Sequence, residues 1–317
     1  MTPGKTGGRK IAVIGYGSQG RALALNLRDS GYDVIIGLRS GSRSRRSAKK
    51  DGWRQIGTIR QAVAGADIIC FAFPDHLHGR VYDREIRKYV RQGSTLWFLQ
   101  GMSVHFGFVK PLAKCDVILI APHAPGSAMR ERFSSKRSFS AFYAVYRDYS
   151  GRAQKTVKSL ARAIGVNRKG LVPTSFEAEA IGDFFGEQAV LCGGMAALIK
   201  NGFDVLVENG LPAENAYLEV AYQLDLIIDL VKQHGIEGML RRISVAARYG
   251  SVQAGPEIIN NSVKKRMQQI YRKIESGRFS RQLNRLKYQD ITSLNRELKA
   301  LSSPALEKAA RKFKPES

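Results

Sequence analysis

The hydrophobic pattern of the first half of the chain alternates short, continuous apolar runs with helix-like stretches. Apolar runs predict strands at Ile11–Gly15, Asp33–Leu38, Asp67–Phe73, Thr95–Leu99, Val117–Ala121 and Phe139–Val145. The stretch after the first strand predicts a helix that ends near Ser30. Runs that are apolar throughout, rather than at every second position, are typical of a parallel sheet buried on both faces. The pattern therefore predicts a doubly wound α/β fold.

Beyond residue 174 the pattern changes to helical periodicity with few strand candidates. We expect Gly202, Gly210 and Gly235 to end helices, because glycine is frequent just past a helix C-terminus. The run VPTS at Val172–Ser175 predicts a proline turn where the two patterns meet. The sequence thus predicts two domains, an α/β domain over residues 1–174 and an all-helical domain over residues 175–317.

A glycine-rich loop follows the first predicted strand directly and opens the first predicted helix. It has the form G-x-G-x-x-G and consists of Gly15, Tyr16, Gly17, Ser18, Gln19 and Gly20. The first glycine permits a tight turn, the second lets the backbone approach a pyrophosphate, and the third lets helix and strand pack closely. The loop therefore predicts that these six residues bind a dinucleotide.

The end of the second predicted strand indicates which nicotinamide cofactor binds. An acid at this point holds the ribose 2′-hydroxyl of NAD, whereas arginine and hydroxyl groups accommodate the 2′-phosphate of NADP. The chain has Arg39, Ser42 and Ser44 here and no acid. These residues favour NADP(H). The alternative is an ordinary surface loop, but the missing acid argues against NAD in either case.

Two pairs of polar residues share a spacing that places both side chains on one face of a helix, one turn apart. Asp183 and Glu187 form the first pair, and Glu219 and Gln223 form the second. Two carboxylates suit Mg²⁺, which takes oxygen ligands and keeps several waters. The first pair predicts a metal site, whereas the amide in the second pair indicates a metal site that has lost a ligand.

Seven segments together resemble the short-chain ketol-acid reductoisomerase family. In chain order they are GYGSQG, GLRSGSRS, FPDHLHGRVY, APHAPG, DFFGEQAVLCGG, ISVAARYG and SGRFSRQ. The resemblance implies an N-terminal Rossmann domain and a knotted all-helical C-terminal domain. It also implies a homodimer with shared active sites, NADPH, two Mg²⁺ ions and a 2-aceto-2-hydroxy acid substrate. The family rearranges this substrate and then reduces it in branched-chain amino-acid synthesis.

The resemblance also implies roles for four residues of the helical domain. Asp183 matches the carboxylate that bridges both metals, and Glu187 matches the second ligand of the first metal. Glu219 matches a ligand of the second metal that the partner subunit contributes. Ser244, in ISVAARYG, matches a serine that hydrogen-bonds the substrate.

The chain departs from the family pattern at several of the catalytic positions. Gln223 replaces a glutamate, His123 in APHAPG replaces a lysine, and Gln100 in LQGM replaces a histidine. After Ser244, a polar pair and an acid are replaced by Val245, Ala246 and Arg248. The spacing from Gln100 to His123 matches the family, so these are substitutions within an aligned site.

These departures lead us to expect an NADPH-dependent reductase with an impaired isomerase step. Its substrate would be a 2-keto acid, with a 2-keto-3-hydroxy acid as one form, chelated by one metal at Asp183 and Glu187. His123 would donate a proton or bind a softer metal such as Mn²⁺ or Zn²⁺. Gln100 would contact the nicotinamide or bond only to backbone. The alternatives are a complete reductoisomerase and a noncatalytic NADP-binding protein.

Composition bears on two further points, the excess of positive charge and the cellular location. The formal net charge is +24, and residues 260–317 carry 15 Lys and Arg against 5 acids. Such charge attracts nucleic acid, but a solvated surface is the more ordinary explanation. The apolar runs are too short to span a membrane, and the N-terminal MTPGKTGGRK has no secretory signal. Three cysteines (Cys70, Cys115 and Cys192) are expected to be buried thiols of a cytoplasmic protein. Four histidines (His76, His78, His105 and His234) are interpreted as surface or turn residues.

Overall fold

The computed structural model describes residues 8–314, apart from the side chains at positions 288, 289, 291 and 295. The signal-peptide prediction rests mainly on residues 1–7 and so lies largely outside the described residues. By internal packing the chain forms two units. The first contains the chain up to Gly182 together with Ser280–Arg285, and the second contains Asp183–Phe279 and the chain from Leu286 onward.

The first unit is built on one eight-stranded sheet with the strand order β3-β2-β1-β4-β5-β6-β7-β8. The strands are β1 (Lys10–Ile14), β2 (Asp33–Leu38), β3 (Ile56–Thr58), β4 (Ile68–Phe71), β5 (Thr95–Phe98), β6 (Asp116–Pro122), β7 (Phe139–Arg147) and β8 (Val166–Pro173). All neighbouring strands pair in parallel except β6 and β7. The predicted doubly wound α/β fold is confirmed.

All six predicted strands form, including β7, for which no direction was predicted. This strand pairs antiparallel to β6, and its burial alternates rather than running continuously. Alternating burial is typical of a strand with one partly solvated face, and an antiparallel strand near the edge of a parallel sheet is common. The strands β3 and β8 were not predicted, because neither is a continuous apolar run.

Sixteen helices are present in the described part of the chain. In the first half they are α1 (Ser18–Asp29), α2 (Ser44–Lys50), α3 (Ile59–Ala64), α4 (His78–Val81), α5 (Met102–His105), α6 (Gly126–Ser134) and α7 (Ala153–Ile164). They continue with α8 (Phe176–Gly186), α9 (Gly193–Glu208), α10 (Ala213–Tyr217), α11 (Leu224–Leu240), α12 (Val245–Ile258), α13 (Asn261–Glu275), α14 (Arg278–Arg285), α15 (Tyr288–Glu297) and α16 (Pro304–Lys312). Three π-helical turns occur at Tyr82–Ile86, Glu187–Leu191 and Leu218–Tyr222. Short 3₁₀ turns occupy Asp75–Leu77, Arg87–Tyr89 and Leu298–Leu301.

The core of the first unit lies on both faces of the sheet. Successive residues of β1 point to opposite faces, so Ile11 and Val13 join one buried cluster and Ala12 and Ile14 join the other. Helices α1 and α7 contribute to the first cluster and α3 to the second. Double-sided burial explains why central strands such as β1, β4 and β6 read as apolar runs.

The three glycines predicted to end helices behave differently. Gly210 follows α9 with φ of +94°, as predicted. Gly202 lies inside α9, so that prediction is wrong; a Cβ there would lie 3.4 Å from the side chain of Val220, which indicates close packing instead. Gly235 interrupts α11 with φ of +71° and ψ of 177°, and so marks a kink rather than an end.

The second unit buries little apolar surface of its own. Only six of its described apolar side chains are buried, namely Phe184, Ala189, Phe203, Ala216, Ile274 and Ala309. Many large apolar side chains are exposed, including Leu226 and Ile236. Cys192 is also exposed, so the expectation of three buried thiols is correct only for Cys70 and Cys115. One helical stretch among the described residues, Phe176–Glu208, is long and apolar enough to cross a membrane by length and composition.

Candidate active site

The glycine-rich loop has the geometry that a dinucleotide phosphate requires. Gly15 has φ of +99°, and a Cβ on it would lie 2.3 Å from the carbonyl oxygen of Ala72. A Cβ on Gly20 would lie 2.7 Å from the carbonyl oxygen of Gly15. Gly17 has open space around its missing Cβ and immediately precedes α1, whose first N–H groups are available to an anion. The loop therefore fits the cofactor predicted from the sequence.

The residues predicted to hold a 2′-phosphate lie in the short segment between β2 and α2. Arg39 directly follows β2, and its carbonyl oxygen accepts a 3.2 Å bond from the N–H of Ser42. Gly41 has φ of +70° within this turn. Ser44 is the first residue of α2. The turn thus presents one guanidinium and two hydroxyls at the end of β2, a donor set that suits a phosphate.

A network that the sequence did not predict connects this loop to the end of α2. The Tyr16 hydroxyl donates to Asp51, which also binds the guanidinium of Arg21. The Trp53 Nε1–H donates to the same hydroxyl. The partners are 30 to 37 residues apart along the chain. No local sequence signal links residues so far apart.

Gln100 lies at the carboxyl end of β5 and is nearly buried. Its side-chain oxygen accepts a 2.7 Å bond from the N–H of Met102. The next N–H, that of Gly101, donates 2.5 Å to the buried carboxylate of Glu179. A Cβ on Gly101 would lie 2.1 Å from the carbonyl oxygen of Phe176, so this turn requires glycine. The role of Glu179 in holding the turn was not predicted.

His123 lies at the end of β6 with an exposed side chain. Its backbone N–H donates to the carbonyl oxygen of Ser140 at 2.9 Å, and its Nδ1 lies 3.3 Å from the Ser140 hydroxyl. The ring packs edge-on against Phe142, with centroids 4.3 Å apart. An exposed imidazole in this position is able to exchange a proton with a ligand.

His78 is fully buried, so the prediction of a surface or turn role is wrong for this histidine. Its Nε2 lies 2.9 Å from the carbonyl oxygen of Phe73, and its Nδ1 lies 2.9 Å from the Ser103 hydroxyl. Because a carbonyl only accepts, Nε2 carries the proton and Nδ1 accepts from Ser103. Burial lowers the pKa of His78 to about 4, so the ring is neutral near pH 7. The ring packs edge-on against Phe71 and Phe73, and its two hydrogen bonds compensate for the burial of a polar residue.

Asp183 and Glu187 lie on either side of a change in helix type. Asp183 belongs to α8, whereas Glu187 begins the π-helical turn Glu187–Leu191. A Cβ on Gly193 would lie 2.4 Å from the carbonyl oxygen of Gln188, and one on Gly194 would lie 2.1 Å from that of Ala189. The glycine pair therefore permits the wider turn. Both carboxylates are exposed and belong to the second unit.

Glu219 lies within the π-helical turn Leu218–Tyr222, and Gln223 directly follows it. The Gln223 amide donates 3.2 Å to the Glu219 carboxylate and 3.3 Å to the Leu218 carbonyl oxygen. Ser244 precedes α12, and its hydroxyl accepts a 3.1 Å bond from the N–H of Ala247. The hydroxyl hydrogen of Ser244 remains available to donate.

The donor groups of one chain fit Mg²⁺ only in part. Asp183 and Glu187 offer two hard carboxylates at helical spacing, as Mg²⁺ requires. At the second pair, the carboxylate of Glu219 accepts a bond from a neutral amide. Among residues 8–314, no three His, Cys, Asp or Glu side chains come together as a metal site. The predicted ligands therefore stay predictions and give no complete site within one chain.

The mostly parallel sheet has a glycine-rich loop after its first strand and no acid after its second, and a helical unit follows it. Together these features define a Rossmann-type NADP-binding oxidoreductase. Known families narrow this class. Residues 6–170 match the NADPH-binding domain of acetohydroxy acid isomeroreductase, and residues 176–315 match the C-terminal domain of ketol-acid reductoisomerase. The chain belongs to the ketol-acid reductoisomerase family.

Individual relatives agree with this assignment. Ketol-acid reductoisomerase (NADP(+)) of Pyrobaculum arsenaticum is 46% identical over 275 residues, covering 87% of this chain and 84% of the relative. The enzyme of the same name from Xanthomonas euvesicatoria is 43% identical over 272 residues, with coverages of 86% and 81%. A solved NADH-preferring ketol-acid reductoisomerase from an uncultured archean is 34% identical. It superimposes with a TM-score of 0.91 over 97% of this chain and 95% of its own.

Proposed function

We propose that this chain is an NADPH-dependent reductase with ketol-acid reductoisomerase chemistry, in which the reduction is retained and the alkyl migration is weakened. The substrate class is a 2-keto acid, including 2-keto-3-hydroxy acids. Reduction consumes one NADPH and one proton and yields a 2-hydroxy acid and NADP⁺. Family membership and the intact glycine-rich loop support the reductase half of this proposal.

The hydrogen bond from Gln223 to Glu219 is the observation that carries the proposal. Two carboxylates one turn apart repel each other and attract a divalent cation between them. Here the amide is neutral and donates to Glu219, so the pair has one negative charge fewer and no mutual repulsion. A second Mg²⁺ at this pair therefore binds weakly, whereas Asp183 and Glu187 retain both charges.

The two halves of the reaction depend unequally on that second ion. Mg²⁺, when bound, polarises the substrate carbonyl and lowers the pKa of the tertiary hydroxyl whose deprotonation starts migration. Reduction requires an oriented nicotinamide, a polarised carbonyl and one proton donor. We assign the proton to His123, which is exposed, and the orientation of the nicotinamide to the turn of Gln100. Ser244 donates its hydroxyl hydrogen to the substrate.

A complete ketol-acid reductoisomerase in branched-chain amino-acid synthesis is the second candidate. The 46% identity to a relative of that name favours it. An amide oxygen still ligates Mg²⁺, although weakly compared with a carboxylate. In this case Gln223 and Glu219 would both hold the ion, and the hydrogen bond between them would be lost.

Substrate comparison separates these candidates. NADPH oxidation is measured with 2-acetolactate and with 3-hydroxy-3-methyl-2-oxobutyrate, each with Mg²⁺, Mn²⁺ or a chelator. The proposal expects reduction of the second substrate and little turnover of the first. Equal turnover of both would establish the complete reductoisomerase. If NADPH binds but neither substrate reacts, the noncatalytic NADP-binding alternative replaces both.

We further propose a homodimer formed through the second unit. A helical unit that buries only six described apolar side chains lacks a sufficient core for one chain. Its exposed apolar side chains, such as Leu226 and Ile236, form the kind of surface that marks association. We attribute the apolar stretch Phe176–Glu208 to this association rather than to a membrane span. It carries Asp183, Glu187 and an ion pair between Lys200 and Asp204, all of which are polar.

The two predicted domains have different proposed roles. We propose that residues 1–174 bind NADP(H), and that residues 175–317 bind metal and substrate and form the dimer with a knotted topology. A biosynthetic reductase that consumes NADPH is expected in the cytoplasm. Nucleic-acid binding through the +24 charge is the weaker alternative. Retention on heparin that NADPH does not displace would support it.

A further inference from the structure

We propose that Tyr16, Asp51 and Trp53 are positioning residues for cofactor choice. They hold α2 in place, so that the turn from Arg39 to Ser44 meets the 2′-phosphate of NADPH. The sequence placed Tyr16 among residues that touch the cofactor directly, whereas its side chain is directed to Asp51. This inference rests on the proposed binding of NADPH and concerns residues other than those that would contact the phosphate.

The Tyr16 hydroxyl is fully engaged inside the protein. It donates to Asp51 Oδ2 at 2.7 Å and accepts from Trp53 Nε1–H at 2.7 Å. Both rings are nearly buried and meet edge to face. Burial, with the hydrogen bond to Asp51, raises the pKa of Tyr16 well above its usual value, so the phenol keeps its proton. The Tyr16 hydroxyl therefore remains a hydrogen-bond donor and connects the glycine-rich loop to Asp51.

Asp51 joins three segments at once. Arg21 of α1 donates two hydrogen bonds to the Asp51 carboxylate, from Nε at 2.6 Å and from Nη2 at 2.7 Å. The backbone carbonyl oxygen of Asp51 accepts a 2.8 Å bond from Arg28, whose guanidinium lies 5.0 Å from the Trp53 ring centroid. The Arg21 guanidinium holds the pKa of Asp51 below its usual range. Paired charge-assisted bonds of this kind fix geometry as well as adding energy.

Helix α2 depends on this end for its position because it has little apolar anchoring. Four of its seven residues are basic, and only Ala48 is buried. Like charges on one short helix repel. At its C-terminal end, Gly52 has φ of +80°, and Trp53 N–H bonds to the carbonyl oxygen of Ala48 at 3.1 Å. This glycine turn brings the Trp53 ring back to Tyr16.

The position of α2 affects cofactor choice because the residues before or at its start would contact only the 2′-phosphate. The adenine-ribose 2′-phosphate is present in NADPH and absent from NADH, and Arg39, Ser42 and Ser44 lie just before or at the start of α2. If α2 is released at its far end, these side chains lose their fixed positions. The glycine-rich loop still binds the pyrophosphate that both cofactors share. Affinity for NADPH should therefore fall more than affinity for NADH.

The experiment measures dissociation constants for NADPH and NADH by calorimetry, in wild type and three variants. Tyr16→Phe removes only the hydroxyl, and Trp53→Phe removes the indole donor together with part of the ring. Tyr32→Phe is the matched control, because its hydroxyl contacts Ser159 at 2.8 Å instead. We expect NADPH affinity to fall about tenfold in Tyr16→Phe, as for loss of a charge-assisted bond, and about threefold in Trp53→Phe, which loses a bond between neutral groups. NADH affinity should change less than about twofold, and the control should match wild type.

Other outcomes separate the two proposals. Equal loss for both cofactors, or no loss for either, in correctly folded Tyr16→Phe and Trp53→Phe proteins would overturn the positioning role. A wild type that does not bind NADPH more tightly than NADH would instead contradict the proposed cofactor. Urea unfolding of each variant identifies folding failure. If Tyr16→Phe does not fold, Trp53→Phe decides, since it removes one donor and keeps an aromatic ring.

Discussion

Gln223 shows how one amide changes the chemistry open to a neighbouring carboxylate. A glutamate at this position would repel Glu219 in the absence of metal, at a cost of about 0.5 kcal/mol or less. The amide instead donates to Glu219 and stabilises it without a cation. Under the proposed function, this bond replaces metal affinity with local stability, and Gln223→Glu should reverse both effects.

Gln223→Glu should lower the Mg²⁺ concentration that gives half-maximal turnover of 2-acetolactate by roughly tenfold, because it restores one negative charge at contact distance. Turnover of 2-acetolactate should rise relative to reduction of 3-hydroxy-3-methyl-2-oxobutyrate. The measurement is NADPH oxidation against Mg²⁺ concentration. Gln233→Glu, an exposed position on α11, adds the same charge elsewhere. An equal shift in both variants would assign the effect to general electrostatics rather than to Glu219.

His78 makes stability depend on pH in a definite direction. Its pKa is about 4 in the folded protein and about 6.5 in an unfolded chain. Its neutral form therefore stabilises the fold above pH 6.5, and this contribution is lost as the pH falls toward 4. The hydrogen bond to the Phe73 carbonyl oxygen favours the protonated ring, but burial outweighs it. The contribution of His78 at neutral pH is on the order of 3 kcal/mol. Burial also raises the pKa of Asp75, whose carboxylate lies 3.5 Å from Nε2, to about 6, and this shift acts in the opposite direction over the same pH range.

His78→Gln should flatten this part of the pH profile, because glutamine can keep both hydrogen bonds but does not titrate. Urea unfolding at pH values from about 7.5 down to about 4.5 measures the effect. His234→Gln, at an exposed position on α11, is the comparison. The same pH slope in wild type and His78→Gln would show that another group controls acid stability.

At the scale of the element, the π-helical turn Glu187–Leu191 begins at the second of the two predicted metal ligands, Asp183 and Glu187. A π turn is wider than an α turn, and such turns are rare overall and frequent at functional sites. Here it begins at Glu187, directly after the α-helical residues that separate Asp183 from Glu187, and the glycine pair after it keeps close carbonyl oxygens free of a Cβ. The glycines of LCGG are thus explained by the turn rather than by flexibility.

Gly194→Ala should disturb this turn, because its Cβ would lie 2.1 Å from the carbonyl oxygen of Ala189. We expect metal-dependent activity to fall more than about tenfold, as for a misplaced metal ligand, while NADPH affinity is retained. Gly182→Ala, in the open on α8, should fold normally and gain up to about 1 kcal/mol from helix propensity. Retained activity in Gly194→Ala would show that the turn does not position the carboxylates.

The elements of the first unit could be predicted wherever a local signal exists. Continuous apolar runs identified β1, β2 and β4, and glycine spacing identified the loop after β1. No local signal shows that β7 reverses direction, because strand pairing is decided by distant residues. The same limit applies to Tyr16 and Asp51, which are 35 residues apart, and to His78 and Ser103, which are 25 apart. Ligand roles of Asp183 and Glu187 came from the family resemblance and from spacing.

At the scale of the whole molecule, the two units differ in how they are stabilised. The first has buried clusters on both faces of its sheet, whereas the second buries six described apolar side chains. A helical bundle needs a continuous apolar core. We propose that a second copy of the chain covers the exposed apolar side chains of the second unit.

Leu226→Glu should weaken the dimer, because it places a charge on a large exposed apolar side chain of the second unit. We expect the variant to have a smaller mass than wild type by light scattering after size-exclusion chromatography. The melting temperature of the wild type should rise with protein concentration. Val172→Glu changes an exposed valine of the first unit and should leave the mass unaltered. A wild type that is monomeric at all concentrations would contradict the proposed assembly.

The small core of the second unit also determines how the protein recovers from denaturation. A chain with enough core for only its first unit regains that unit by a first-order process, independent of how many chains are present. In the proposed dimer, the helical unit would be completed only by an encounter between two chains, which is a second-order process. Nicotinamide binding would therefore return early and at a constant rate. Enzymatic activity would return later, and sooner in concentrated solution than in dilute solution.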